Sequence, residues 1–314
     1  MGKTDKTMNT EGVSVCITAY KAQDYIKECL DSVINQSWFK DNDNFEIIVG
    51  IDGCETTLEY MKTIMGNYKN LRVLMMDSNK GTYITSNTII SVAKYDNIFR
   101  FDSDDKMCVN LIKTVMENRN GCKLLRYRYQ NFGCKNRKVG WAHGTIYISK
   151  AVFMKYGGFR PWPCGADSEI YYRLKNVEYV KNINHILMMR RIHETSLTHA
   201  KETGMNSDLR KRYVKMIYEL NITKSSDAVI DMVTNTYKEV ELPVDKTIDQ
   251  EKYMETVKTI NEPVTKKAQV ISKLRKNMSS GKMSSIATLR KDIETGKLVR
   301  VPVVGGFVWK RIKS

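Results

Sequence analysis

The first hundred residues alternate short β-branched runs with amphipathic stretches, and this alternation limits the fold more than any other feature. VSVCITA (13–19), FEIIVGI (45–51), LRVLMM (71–76) and NIFRF (97–101) each read as a strand. Between them, Tyr25, Ile26, Cys29, Leu30, Val33 and Ile34 share one helical face, and 55–65 and 82–94 read as further helices. Strands joined through helices by short connections pair in parallel, because parallel neighbours need a crossover. The expectation is an α/β, Rossmann-like half with a mainly parallel sheet flanked by helices. In such sheets ligands bind beyond the carboxyl ends of the strands. Thr18 and Tyr20 follow the first strand, Asp52 the second and Asp102 the fourth.

That fourth strand ends in an acidic knot. In NIFRFDSDDK (97–106), Asp102, Asp104 and Asp105 crowd together with only Ser103 between them. Like charges at this spacing repel, and a divalent cation that also holds phosphate would relieve them, since magnesium uses one or two carboxylates plus substrate phosphates. A calcium loop, an acidic helix cap or a solvated turn are the alternatives. The calcium loop lacks its glycine and its distal glutamate, and a cap would use only one acid.

Composition narrows the setting. The chain has 314 residues, 42% hydrophobic and 27% charged, enough for a large packed domain with an appendage. No apolar stretch is long enough to span a bilayer, and MGKTDKTMNT is not a signal peptide. The expectation is a cytoplasmic protein, peripheral at the inner membrane face if a basic segment anchors it, or in host cytoplasm if the source is viral. The seven cysteines are scattered and never spaced CxxC, which argues against a disulfide framework and a zinc site. Asn35, Asn221 and Asn277 match the glycosylation pattern and are read as chance. The net charge of +16 is uneven: −2 over 1–100, +9 over 101–200, −1 over 201–250 and +10 over 251–314. Two basic zones suggest a polyanionic partner, against the plain alternative of a solvated lysine surface.

Six segments in order carry a family resemblance across 13–198. VSVCITAYKAQDYIKECLDSVINQS opens it and FEIIVGIDGCETT follows. NKGTYITSN supplies Asn79, Gly81 and Asn87, and FDSDD an Asp-x-Asp motif. GGFRPWPCGADSEIYYRL and RRIHETSLT complete the set. Together they resemble a family 2 glycosyltransferase of the GT-A fold, an inverting hexosyltransferase type. The resemblance implies that Asp52 hydrogen-bonds the uracil or ribose of a nucleotide sugar near Thr18 and Tyr20, with Asn79, Gly81, Asp102 and Ser103 also at the donor. It implies a manganese or magnesium ion held by Asp104, with Asp105 and His193 beside it, and Asp167 as general base. Glu169 is a rival base, because Ala166 stands where an acid is common. His143, His185 and His199 have no partner spacing and read as surface or core residues.

The acceptor is less constrained. Residues 119–138 interleave Arg126, Arg128, Arg137 and Lys138 with Tyr127, Tyr129 and Phe132, which suits an acceptor or polyanion groove to which Trp162 would add. A solvated edge strand protected by charge is the alternative. Residues 249–260, 263–277 and 284–294 read as helices, and KLVRVPVVGGFVWKRI as a hairpin turning near Gly305-Gly306. Three helices and a basic hairpin suggest a winged helix, a bracing extension or an amphipathic membrane anchor. The expected organisation is a disordered 1–10, a catalytic domain over 11–200, a helical connection over 201–245 and a basic region over 246–314. Three functions follow: sugar addition in surface glycan or polysaccharide assembly, glycosylation of a hydroxylated base in DNA, or binding without catalysis. The intact acids argue against the third, and glycan assembly is the formal expectation.

Overall fold

The structure is a computed structural model that describes residues 9–135, 137–222, 228–241, 298–303 and 306–311. The chain divides into two units, Met1–Thr247 and Ile248–Ser314. In the first, the elements run β1 (Asn9–Ala19), α1 (Ile26–Ile34), β2 (Phe45–Ile51), α2 (Glu55–Ile64), β3 (Leu71–Met76), α3 (Thr82–Ser91) and β4 (Tyr95–Asp102). They continue through β5 (Lys106–Met107), α4 (Leu111–Asn118), β6 (Leu124–Phe132), β7 (Val139–Trp141), β8 (Ile146–Ser149), α5 (Lys150–Lys155) and α6 (Ala166–Leu174). The unit closes with β9 (Val180–Arg191), α7 (Asp208–Ile222) and β10 (Tyr237–Glu239).

One sheet runs in the order β10-β3-β2-β1-β4-β8-β6-β9-β5, with β7 paired to β6. The segment β3-β2-β1-β4 is parallel, as the alternation of strands and helices requires. Beyond β4 the sheet is mixed: β8 is antiparallel to both β4 and β6, while β6 and β9 are parallel. A mainly parallel sheet therefore describes only the first half. The second half departs because β6 turns directly back into β7 and β8, without a crossover helix to restore direction.

Both faces of the parallel half are buried, so its strands are nearly continuous apolar runs. Val13, Val15, Ile17, Ile47 and Val49 pack with α1, α2 and α4 on one face. Cys16, Ile48, Leu74 and Ile98 pack with Ile89, Ile90, Phe153 and Ile170 on the other. At Gly50 a Cβ would stand 2.6 Å from Ile89 Cγ2, so the missing side chain lets α3 lie close on β2.

Two expectations change here. KLLRYRYQNF is not an exposed edge: β6 lies inside the sheet, between β8 and β9, with Leu124 to Tyr127 buried. Its alternation of basic and aromatic residues resembles a solvated strand, but aromatic rings cover the guanidiniums. The packed domain also does not end near 200. Residues 228–241 are extended and return to the sheet, where β10 pairs with β3 and Glu239 takes Arg72 through Nε at 2.8 Å and Nη2 at 3.1 Å. Asn87 fastens the same segment, donating to Phe159 O at 2.9 Å and Val233 O at 3.0 Å.

In the second unit, β11 (Leu298–Val303) and β12 (Gly306–Arg311) form the expected antiparallel hairpin. The three helices expected over 249–294 lie outside the described residues. Among the described residues no helix is long and apolar enough to cross a membrane.

Candidate active site

The crevice opens where the chain leaves β1 on one side toward β2 and returns on the other as β4, a topological switch point. Thr18 and Asp102 are in register there, at the carboxyl ends of β1 and β4. Arg100 precedes Asp102 by two residues and shares its face of the strand. Its guanidinium is buried and fully engaged. Nη1 meets Asp102 Oδ1 at 2.6 Å and Gly144 O at 2.9 Å. Nη2 reaches Thr82 Oγ1 at 2.7 Å and Thr18 Oγ1 at 3.2 Å, and Nε reaches Ser86 Oγ at 3.2 Å. Burial pushes the Asp102 carboxyl above the usual range, Arg100 opposes it, and Asp104 and Asp167 add to the rise.

The acidic knot does not converge; its three acids face three different partners. The chain turns after Asp102 so that β5 pairs with β9, which brings the end of β9 alongside. Asp104 Oδ2 lies 2.8 Å from His193 Nε2, and His193 Nδ1 lies 2.9 Å from Thr195 Oγ1. Asp105 is buried, and its Oδ1 accepts the backbone N–H of Arg191 at 2.8 Å. Burial, then the charges of Asp104 and Asp102, push its pKa well up. Through this bond Asp105 braces β9, with one of its two carboxylate oxygens engaged by the strand backbone. Ser103 is buried between the two acids that flank it.

Among the described residues, no three of His, Cys, Asp and Glu converge as a metal cage. Asp104 and His193 still present an oxygen and a nitrogen to one spot. That donor set fits a cation completed by a diphosphate, and it does not fit a closed protein-only site.

Asp167 lies on the opposite wall, in the first turn of α6. Its Oδ1 accepts from Tyr83 Oη at 3.0 Å, and Tyr83 Oη accepts from Gly165 N at 3.2 Å. Gly144 stands between the walls. A Cβ there would be 3.1 Å from Arg100 Nη1, 3.3 Å from Asp102 Oδ2 and 3.5 Å from Asp167 Oδ2. The two carboxylates therefore face each other across a residue with no side chain. Gly144 reaches this position because the pairing of β7 and β8 with β6 is interrupted over 142–145, and such irregularities re-aim residues at functional sites.

Glu169, the rival base, points into the core. It takes Arg173 Nε at 2.8 Å and Arg160 Nε at 2.9 Å. Its position makes it structural. Glu169→Gln is expected to lower unfolding free energy by about 1–3 kcal/mol, read from urea denaturation, because it weakens two charge-assisted bonds in a buried cluster.

On the donor side, Asp52 is buried and accepts Lys80 N at 3.0 Å, Thr85 Oγ1 at 2.9 Å and Gly81 N at 2.9 Å. Both its oxygens hold the loop that carries Asn79 and Gly81, so Asp52 shapes the crevice wall. Thr18 is likewise engaged, with Thr82 Oγ1 at 2.8 Å. Tyr20 and Asn79 are exposed at the rim.

Arg126 and Arg128, expected from the sequence at the acceptor, lie beside Trp141, with Tyr171 of α6 against Arg126. Trp162 packs instead on Tyr213 of α7, with ring centroids 4.6 Å apart. Arg137 and Lys138 are exposed in the turn between β6 and β7. His143, read from sequence as bland, sits 3.2 Å from Arg126 Nη1 through Nε2 and 3.5 Å from Ser168 Oγ through Nδ1. Burial lowers its pKa, Asp167 raises it and Arg126 lowers it. Sequence reasoning also missed Arg100, Tyr83 and Gly144. Arg100 had a signal, a lone charge in an apolar strand; Tyr83 had none.

These features are those of the GT-A fold class, and comparison with solved structures agrees. S. aureus TarS, crystallised with UDP-GlcNAc, superposes with a TM-score of 0.52 at 17% identity, over 59% of this chain and 60% of that one. Residues 14–143 match the sequence model of Glycosyl transferase family 2, and this segment is a glycosyltransferase family 2 domain. Chondroitin synthase of Pasteurella multocida strain Pm70 is 24% identical, over 82% of this chain and 28% of its own length. Hyaluronan synthase of Pasteurella multocida is 25% identical, over 67% of this chain and 23% of its own. The chain thus spans about a quarter of the length of these curated relatives.

Proposed function

We propose that the chain transfers a sugar from a UDP-linked donor to an acceptor hydroxyl, with inversion, in the assembly of a surface polysaccharide. One observation carries this reading: the Asp102 and Asp167 carboxylates oppose each other across Gly144, with Arg100 fixed beneath. Inversion needs the leaving diphosphate and the base on opposite faces of the sugar. Asp102 at the end of β4 and Asp167 on α6 come from separate elements, which is compatible with that requirement. A divalent cation held by Asp104 and His193 would neutralise charge on the departing diphosphate.

Asp167 takes the proton of the acceptor hydroxyl, which is a poor nucleophile without a positioned base. Tyr83 occupies Oδ1 and leaves Oδ2 toward Gly144, so the proton has one defined destination. Arg100 aims Asp102 and opposes the rise that burial imposes on its pKa, and Thr18 and Thr82 keep Arg100 in place.

The relatives named chondroitin synthase and hyaluronan synthase favour polysaccharide over DNA as the acceptor. The fold shared with TarS, crystallised with UDP-GlcNAc, supports a UDP-linked donor.

The test is release of UDP from UDP-sugars with manganese or magnesium. Turnover is expected to stop with a chelator, and Asp104→Ala is expected to lower it roughly 100-fold, matching loss of several kcal/mol of charge stabilisation. Full turnover of Asp104→Ala with chelator present would remove the metal from the proposal.

A further inference from the structure

Arg126 is a buried guanidinium with no carboxylate in ion-pair distance among the described residues. The residue is only 8% exposed. Its Nε donates to Asn182 Oδ1 at 3.0 Å, and its plane lies 3.5 Å over the Tyr171 ring. Burial pulls its pKa below the usual guanidinium range, and the two groups that oppose this are tyrosines. Arginines whose side chains are equally covered are compensated: Arg100 meets Asp102 and Arg173 meets Glu169. A neutral hydrogen bond and a cation–π contact do not replace a counter-charge, and a buried unpaired charge is costly.

Arg128 repeats the pattern. Its Nη1 donates to Asn184 Oδ1 at 3.1 Å, while its Nε is buried without a partner among the described residues. Both guanidiniums lie against Trp141, at 5.5 and 5.7 Å from the ring centroid. Through His143 and Ser168, Arg126 adjoins Asp167, the proposed acceptor of the hydroxyl proton, and Arg128 lies beside Arg126 on Trp141.

Given the transferase reading, on which this rests, we propose that Arg126 and Arg128 form an anion subsite for the acceptor. A carboxylate or phosphate on the acceptor, next to the attacked hydroxyl, supplies the missing counter-charge. Guanidinium groups bind both anions through paired N–H donors. The subsite makes acidic acceptors the preferred class and places the selection beside the base, not in the donor crevice.

The experiment measures binding to the full chain, by calorimetry with UDP and manganese present. The probes are a uronic acid-terminated oligosaccharide and its methyl ester, and a polyol-phosphate oligomer and its dephosphorylated form. At least one charged probe is expected to bind about tenfold or more tightly than its neutral counterpart, the size of a charged hydrogen bond. Which pair discriminates tells carboxylate from phosphate. Arg126→Gln is expected to bring that ratio close to one. Since the ratio is internal to each protein, and the wild-type comparison needs no variant, a folding defect does not decide the outcome. Equal affinity for charged and neutral probes, no binding of either anion, or an unchanged ratio in Arg126→Gln overturns the subsite. Donor turnover by the wild-type chain is read separately, and its absence would count against the transferase reading instead.

Discussion

Under the proposed function, Asp167→Asn is expected to lower the rate of sugar transfer by on the order of 10²–10⁴, the contribution of a positioned general base. Affinity for a UDP donor is expected to change little, because the proposed donor contacts at Thr18, Asp102 and Gly81 come from other elements than α6. The substitution keeps the shape of the side chain, so Tyr83 Oη still finds an oxygen at its 3.0 Å position and the first turn of α6 is undisturbed. What disappears is an ionised oxygen facing Gly144. The measurement is acceptor-dependent transfer at saturating donor, paired with donor binding by calorimetry. A variant with more than a tenth of wild-type transfer would move the base elsewhere, with Glu169 disfavoured by its two arginines.

Arg100→Met is expected to destabilise the fold by about 1–3 kcal/mol, the cost of leaving buried oxygens without their donor, since Asp102 itself is 35% exposed. In thermal unfolding this amounts to a fall of roughly 2–12 °C for a domain of this size. The loss is large because five oxygens converge on the guanidinium, from Thr18, Thr82, Ser86, Asp102 and Gly144. The double substitution Arg100→Met with Asp102→Asn recovers part of the stability, since no unpaired carboxylate remains. It does not recover transfer. If Arg100→Met alone melts with the wild type, Arg100 is not the keystone its contacts describe.

The parallel half of the sheet was legible for a physical reason. β2 and β3 coincide with FEIIVGI and LRVLMM because strands covered on both faces are mostly apolar, with Glu46 and Arg72 as one facing ion pair. β6 was harder to read. Arg126 and Arg128 gave it the look of a strand facing water, and no sequence rule indicates that Trp141 and Tyr171 cover them. The site was readable where spacing is local and obscure where it depends on pairing. Asp104 and His193 lie 89 positions apart and meet only because β5 pairs with β9. The same pairing turns Asp105 Oδ1 toward the backbone of Arg191. Asp52 was legible as a residue at the end of a strand, yet its three donors come from the loop and helix that follow β3. His143 has no periodicity to mark it; it matters because the strand pairing breaks at 142–145.

That short break has an evolutionary corollary. Ladders clamp it at either end, and three of its four residues are fixed from within: Ala142 N–H donates to Tyr127 O, Gly144 O accepts from Arg100, and Thr145 is buried. His143 is the one position of the four that could change its side chain without disturbing those contacts, so under the proposed function it is where acceptor preference would drift most freely between relatives.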